Sequence, residues 1–220
     1  MSDGVLLARA SVRWTGRSEG DLGITADGQL DARRRAVERR PWAWLRQVHG
    51  PVVHLVDRPG GVQGMEGDAL VTATPGVALA VFTADCAPVA LASPEGVAGL
   101  AHAGWRGLES GVLEATVAAM RAAGATHISA ALGPCIRSEC YAFGERDLER
   151  LERALGPGVR AQTAEGRVAF DLAGGVRSAL ARSGVGLVVD EGACTACGPS
   201  WFSHRARGDR QRQATVVVAP

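Results

Sequence analysis

The chain has 220 residues, with 24 arginines and no lysine set against 23 carboxylates, for a formal net charge of +1 at pH 7. That balance gives no reason to expect a nucleic-acid or membrane partner, and the lack of lysine excludes Schiff-base, pyridoxal-phosphate and Walker-type phosphate chemistry carried by this chain. Hydrophobic residues make up 46% of it, ample for one core in a single domain over residues 1–220, and no apolar stretch approaches the roughly 18 residues of a membrane span.

The start, Met1-Ser2-Asp3-Gly4, lacks the basic and apolar regions of a secretory signal, so a cytoplasmic protein is expected. Apolar runs bounded by Gly, Pro and Asp predict strands over 5–13, 42–48, 52–56, 69–72, 77–83, 89–92, 97–101, 128–132, 185–189 and 215–218. A helix over 31–40 stops at Pro41, and its arginines, interleaved with Asp31 and Glu38, read as a solvated face. After Gly107, the residues Leu108, Val112, Leu113, Thr116, Ala119, Met120 and Ala123 form one helical stripe ended by Gly124. Leu148, Leu151 and Leu155 mark another helix before Gly156-Pro157, and Asp171 N-caps one that buries Leu172, Val176, Ala179 and Leu180. Hairpin-length gaps mix with a long strand–helix–strand crossover over 97–132. The fold expected is α/β, a three-layer α/β/α sandwich with a mixed sheet.

Three of these strands run out into a polar residue able to bind metal: 42–48 leads to His49, 77–83 to Cys86, and 97–101 to His102. Strand ends on one sheet edge converge, and two imidazoles with a thiolate suit zinc while leaving a fourth position open. A histidine after a strand is also often a cap, and a buried cysteine often packing, so spacing alone leaves both readings open. Gly104 and Gly107 flank Trp105-Arg106 at a helix start, where free N–H groups favour an anion; a tight turn that merely needs glycine fits equally well. Asp68 and Asp85 are candidates to hold the outer nitrogen of a metal-bound imidazole. Five cysteines in such a chain favour thiols or ligands over disulfides. Cys194-x-x-Cys197 looks like half a zinc ribbon, but no second CxxC completes it, and a structural role is favoured. Cys135 and Cys140 read as core or turn residues, His54 and His127 as structural, and His204-Arg205 as either site lining or surface loop.

The motifs Arg46-Gln47-Val48-His49-Gly50, Gly67-Asp68-Ala69-Leu70-Val71-Thr72, Thr83-Ala84-Asp85-Cys86-Ala87-Pro88-Val89 and Ala101-His102-Ala103-Gly104-Trp105-Arg106-Gly107 resemble the YfiH family. That family is also called the laccase-domain, polyphenol oxidase or multicopper-oxidase-like purine nucleoside phosphorylase family. Leu132-Gly133-Pro134-Cys135-Ile136, Phe170-Asp171-Leu172, Cys194-Thr195-Ala196-Cys197 and Trp201-Phe202-Ser203-His204-Arg205 continue the resemblance over about residues 42 to 218. It implies a zinc site of His49, Cys86 and His102, phosphorolysis of adenosine, inosine, guanosine and methylthioadenosine, and adenosine deamination. Two motifs depart from the family pattern. The segment Trp14 to Gly23 is shorter than the family's glycine-rich opening and has no asparagine, and the usual Gly-Arg-Gln-Ala stands here as Gln211-Arg212-Gln213-Ala214.

The catalytic residues expected are therefore Cys86, His102 and Arg106, with Arg46, Arg106, Arg205 and Arg212 as phosphate or nucleoside binders. Two other enzyme classes compete. A copper phenol oxidase needs more imidazoles than five histidines supply, so copper is expected only as a substitute for zinc. A hydrolase of cell-wall precursors would use Cys86 as nucleophile and His102 or His49 as base.

Overall fold

In the computed structural model, residues 4–24 and 27–220 are described; residues 1–3, part of the segment behind the expectation of no secretory signal, lie outside them. The N-terminal apolar run is a hairpin of β1 (Val5–Leu7) and β2 (Ala10–Trp14), because Ala8 and Arg9 turn at φ 42° and 76°. Positive φ at both central positions is what a two-residue hairpin needs to match strand twist. Then come α1 (Leu30–Val37), β3 (Trp42–Trp44), β4 (Val53–Leu55), β5 (Ala69–Thr72), β6 (Ala78–Thr83), β7 (Ala87–Ala92) and β8 (Ala98–Ala103). The stripe after Gly107 is two helices, α2 (Trp105–Glu109) and α3 (Val112–Ala122), broken at Gly111, which sits at φ 84°. The chain continues through β9 (Ser129–Leu132), α4 (Glu145–Leu155), β10 (Arg160–Gln162), β11 (Val168–Phe170), α5 (Leu172–Arg182), β12 (Gly186–Asp190), α6 (His204–Arg207) and β13 (Gln213–Val218). Asp171 caps α5 as expected, its Oδ1 accepting the Gly174 N–H at 2.8 Å.

The α/β class and the mixed pairing are those read from the sequence, but the strands divide between two large sheets rather than one. One has the order β1-β2-β13-β6-β3 and the other β12-β9-β7-β8-β5-β4; each contains parallel and antiparallel pairs. Leu79, Val81 and Val217 of the first sheet pack on Leu70, Ala90 and Leu100 of the second. The alternate residues Ala80, Phe82 and Val216 turn outward, under Val37 of α1. On the far side, Val71, Val89 and Leu132 pack against α2, α3, α4 and α5. The result is four layers: helix, sheet, sheet, helices. Strands covered on both faces are apolar at every position, which erases the period-two signal that would show two sheets. Among the described residues, no helix is long and apolar enough to cross a membrane.

Candidate metal centre

The link from β6 to β7 carries the chain from one sheet to the other, and Cys86 sits on it. His102 lies in β8, and His49 in the loop after β3. Their donor atoms, with the Cys86 sulfur, all lie within 4.8 Å of one another, so the structure brings together the three residues picked from strand ends. The imidazoles meet edge to face with centroids 4.8 Å apart, and His49 Nε2 is 3.8 Å from Cys86 Sγ.

Asp68, fully buried just before β5, organises this group. Its Oδ1 accepts from His102 Nδ1 at 2.8 Å and from the His49 N–H at 2.9 Å, and its Oδ2 accepts the Val48 and Gly50 N–H groups at 3.1 and 2.8 Å. These bonds stabilise the His49 turn, whose φ of 62° is unfavourable for a residue with a Cβ. Burial would push the Asp68 carboxyl up, but the bonds from His102, Gly50 and His49 outweigh it and hold it below its usual value. A carboxylate only accepts, so His102 must donate from Nδ1, which leaves Nε2 as its donor atom toward the thiol.

Burial likewise raises the Cys86 thiol, yet His102 and His49 bring it down to about 6. Burial lowers His102, and the Cys86 thiolate and Asp68 together lift it to about 9. Each group thus favours the charged form of the other, a thiolate beside an imidazolium, and a divalent cation would take the place of the proton between them. The residues fit such an ion: two imidazole nitrogens and a thiolate are the donors zinc takes, and the backbone makes room for them. A Cβ on Gly104 would lie 2.9 Å from His49 Cδ2 and 3.0 Å from Cys86 Sγ, so that position must be glycine.

Asp85 does not bond to an imidazole. Its Oδ1 accepts from Thr195 Oγ1 and its Oδ2 from the Arg205 N–H, each at 2.7 Å, tying the Thr195 loop and the start of α6 to the residue before Cys86. His54 is structural, its Nε2 2.8 Å from the Glu66 carbonyl.

An open cavity of about 490 Å³ lies over the metal group, within the range of small-molecule sites, roughly 300–1,000 Å³. Arg46, Arg210 and Arg212 line it together with Asp21, Phe82 and His204. Arg106 and Arg205, expected there, do not. The Arg106 guanidinium stacks on Trp105 at 4.2 Å, and that of Arg205 lies over Tyr141 at 4.8 Å while donating to the Ala142 carbonyl. Adjacent aromatic faces hold both cations outside the cavity. Arg210 and Asp21 escaped the sequence reading; Arg210 lies two residues before Arg212, and Asp21 within the shortened opening segment. Asp21 Oδ1 joins these segments, accepting the Gly23 and Arg212 N–H groups at 2.9 and 3.0 Å.

The geometry defines an α/β protein with three donor atoms, able to hold a metal ion, at the junction of two sheets. Residues 24–220 match the family described as multi-copper polyphenol oxidoreductase laccase, and the chain belongs to that family, the YfiH family. It is 41% identical over 198 residues to a purine nucleoside phosphorylase of Streptomyces coelicolor, covering 88% of this chain and 81% of that one. It is 40% identical over 213 residues to a purine nucleoside phosphorylase of Deinococcus radiodurans, covering 90% and 83%. The fold matches the crystal structure of YfiH from Bacillus licheniformis with a TM-score of 0.85 at 24% identity, over 96% of this chain and 93% of that one.

Proposed function

We propose that this protein is a zinc-dependent purine nucleoside phosphorylase that also deaminates adenosine, with residues 1–220 acting as one catalytic domain and copper able to replace zinc. The observation that carries this is one cavity in which His49, Cys86 and His102 stand beside three arginines. The names of the two relatives support the substrate class. When bound, zinc would supply a Lewis acid beside the nucleoside.

The residues of the chain supply the rest. Arg46, Arg210 and Arg212 line the cavity and would meet a phosphate dianion there. Arg46 also pairs with Glu66, and Arg212 Nη1 donates to the Asp209, Arg210 and Gln211 carbonyls, which leaves its Nη2 and Nε for an anion. Gln47 fixes the wall rather than the substrate: its Nε2 donates to the Phe82 carbonyl at 2.7 Å and its Oε1 accepts the Phe82 N–H at 2.8 Å. In phosphorolysis a phosphate oxygen bonds to C1′ as the C1′–N9 bond breaks, and the purine leaves with that electron pair and takes a proton. In deamination water adds at C6 and ammonia leaves.

The test is metal content by mass spectrometry beside inosine and adenosine turnover, with and without phosphate. About one zinc at this group, removed by His49→Ala or His102→Ala, and phosphate-dependent release of hypoxanthine are expected. A zinc-loaded enzyme that cleaves no nucleoside would overturn the proposal. The lowered Cys86 thiol favours one second reading, a cysteine hydrolase. That reading requires Cys86→Asp to abolish all turnover, whereas a metal ligand would retain part of it.

A further inference from the structure

The half-ribbon at Cys194 and Cys197 finds its missing ligands 54 or more residues upstream, in the short turn Ser138–Cys140. Glu139, Cys140, Cys194 and Cys197 each direct a donor atom into one cluster, and these four atoms lie within 4.8 Å of one another. Cys140 Sγ is 3.0 Å from Cys197 Sγ, and Cys197 Sγ is 3.9 Å from Glu139 Oε1. A tetrahedral zinc with bonds of about 2.3 Å to sulfur needs ligand atoms about 3.8 Å apart, so small shifts would seat one. The sequence predicted Cys140 as a core or turn residue because the turn and the CxxC are far apart in the chain; β9 and the loop after β12 bring them side by side.

The backbone supports this use. The Gly198 N–H donates to the Cys194 carbonyl at 2.9 Å, closing the turn that puts both sulfurs on one side. A Cβ on Gly198 would lie 2.8 Å from Trp201 Cδ1 and 3.1 Å from the Cys194 carbonyl oxygen, so the turn needs glycine. The Arg137 N–H points at Cys194 Sγ from 3.4 Å, the kind of bond that stabilises a thiolate ligand.

We infer that Glu139, Cys140, Cys194 and Cys197 bind a second zinc ion, separate from the His49–Cys86–His102 group. Four protein ligands close the coordination sphere, so this ion is structural. Its role follows from what the loop holds. Thr195, between the two cysteines, is fully buried and donates to Asp85, the neighbour of Cys86, and Arg207 of α6 donates to the Thr195 and Ala196 carbonyls. The ion would clamp the loop that orients the base of the cavity.

The experiment uses full-length protein purified with zinc under reducing conditions. Wild type should carry about two zinc ions per chain, and Cys140→Ser/Cys197→Ser about one, while His49→Ala/His102→Ala also carries about one but loses the other ion. Because the double cysteine variant could fail to fold, wild type is also alkylated with iodoacetamide before and after chelation, and the labelled cysteines are mapped by mass spectrometry. Zinc should protect Cys140, Cys194 and Cys197, and chelation should expose all three. The inference is overturned if zinc gives these thiols no protection, if the cysteine variant retains both ions, or if reduced wild type never exceeds one zinc lost with His49 and His102. Isolation of a Cys140–Cys197 disulfide from the reduced preparation would also overturn it. Loss of nucleoside turnover with both ions in place counts against the proposed activity and leaves this site standing.

Discussion

Asp68 and His102 are joined by a 2.8 Å hydrogen bond from Nδ1 to Oδ1 inside the six-stranded sheet, and the same carboxylate holds the backbone of the His49 turn. One side chain therefore sets the positions of two donors. Asp68→Asn keeps the size but puts an NH₂ where N–H groups now donate. Zinc affinity at the His49 group should fall about 10- to 100-fold, as is typical when a carboxylate behind a ligating histidine is lost. Competition with a chromogenic chelator measures it, and unchanged affinity would show that Asp68 only supports the fold.

Gly104→Ala directs its strain at the same donors. The new methyl would stand against His49 and Cys86 rather than against the core. Overpacking typically costs about 1–3 kcal/mol, but here the histidine and the thiol should move first. Metal content should drop sharply while the thermal midpoint moves only a few degrees. A fully metal-loaded variant would show that the cradle yields without cost.

Gly133→Ala tests the contact between the two sheets. Its Cβ would lie 2.5 Å from Trp14 Cδ1 and 3.0 Å from Pro88 Cγ, and the rigid buried indole has little freedom to retreat. A stability loss of about 1–3 kcal/mol in urea titration is expected, with metal content unchanged.

The arginines separate by position. Arg212→Ala removes a cation from the cavity wall and should raise the phosphate concentration needed for inosine cleavage roughly 10- to 100-fold. Arg106→Ala, which removes a guanidinium stacked on Trp105, should change it far less. Initial rates against phosphate distinguish the two, and the reverse order would relocate the anion site to the start of α2.

Asp190 provides a pH test away from the His49, Cys86 and His102 group. Burial pushes its carboxyl up, but Arg137, the Gly192 N–H and Arg177 outweigh this and hold it below the ordinary range. A depressed folded pKa means the stabilisation is complete above the unfolded value of about 4 and is lost as pH falls through the folded value. Asp190→Asn should therefore be less stable than wild type at pH 7, and the gap should close as pH falls through the lowered folded value. A gap independent of pH would mean the carboxylate's charge contributes nothing.

Most strands and the grouping of His49, Cys86 and His102 were legible because their signals are local. An apolar run ending in His or Cys shows both the strand and the residue at its end. β10 and β11 were missed because Arg160–Gln162 and Val168–Phe170 are only three residues each, too short for any period to show. The placement of Arg106 was missed because motif spacing shows where a backbone goes, not which aromatic face captures a long side chain. Cys140 lies in a turn as expected, but its approach to Cys194 and Cys197 was not legible because nothing local links them.

β13 lies in the middle of its sheet, with β2 on one side and β6 on the other, and Thr215 faces Trp14 across some two hundred residues of chain. On the ribosome β2 must wait, with one edge unpaired, until residue 218 has been made. Such long-range pairing is slow to form, and an open edge invites pairing with a neighbouring chain. The wall of the cavity that carries Arg210 and Arg212 leads directly into β13, so it should take its final place only once β13 has paired. Expression that outruns this step should yield aggregates built on β2 and β6, and slower synthesis should recover active protein.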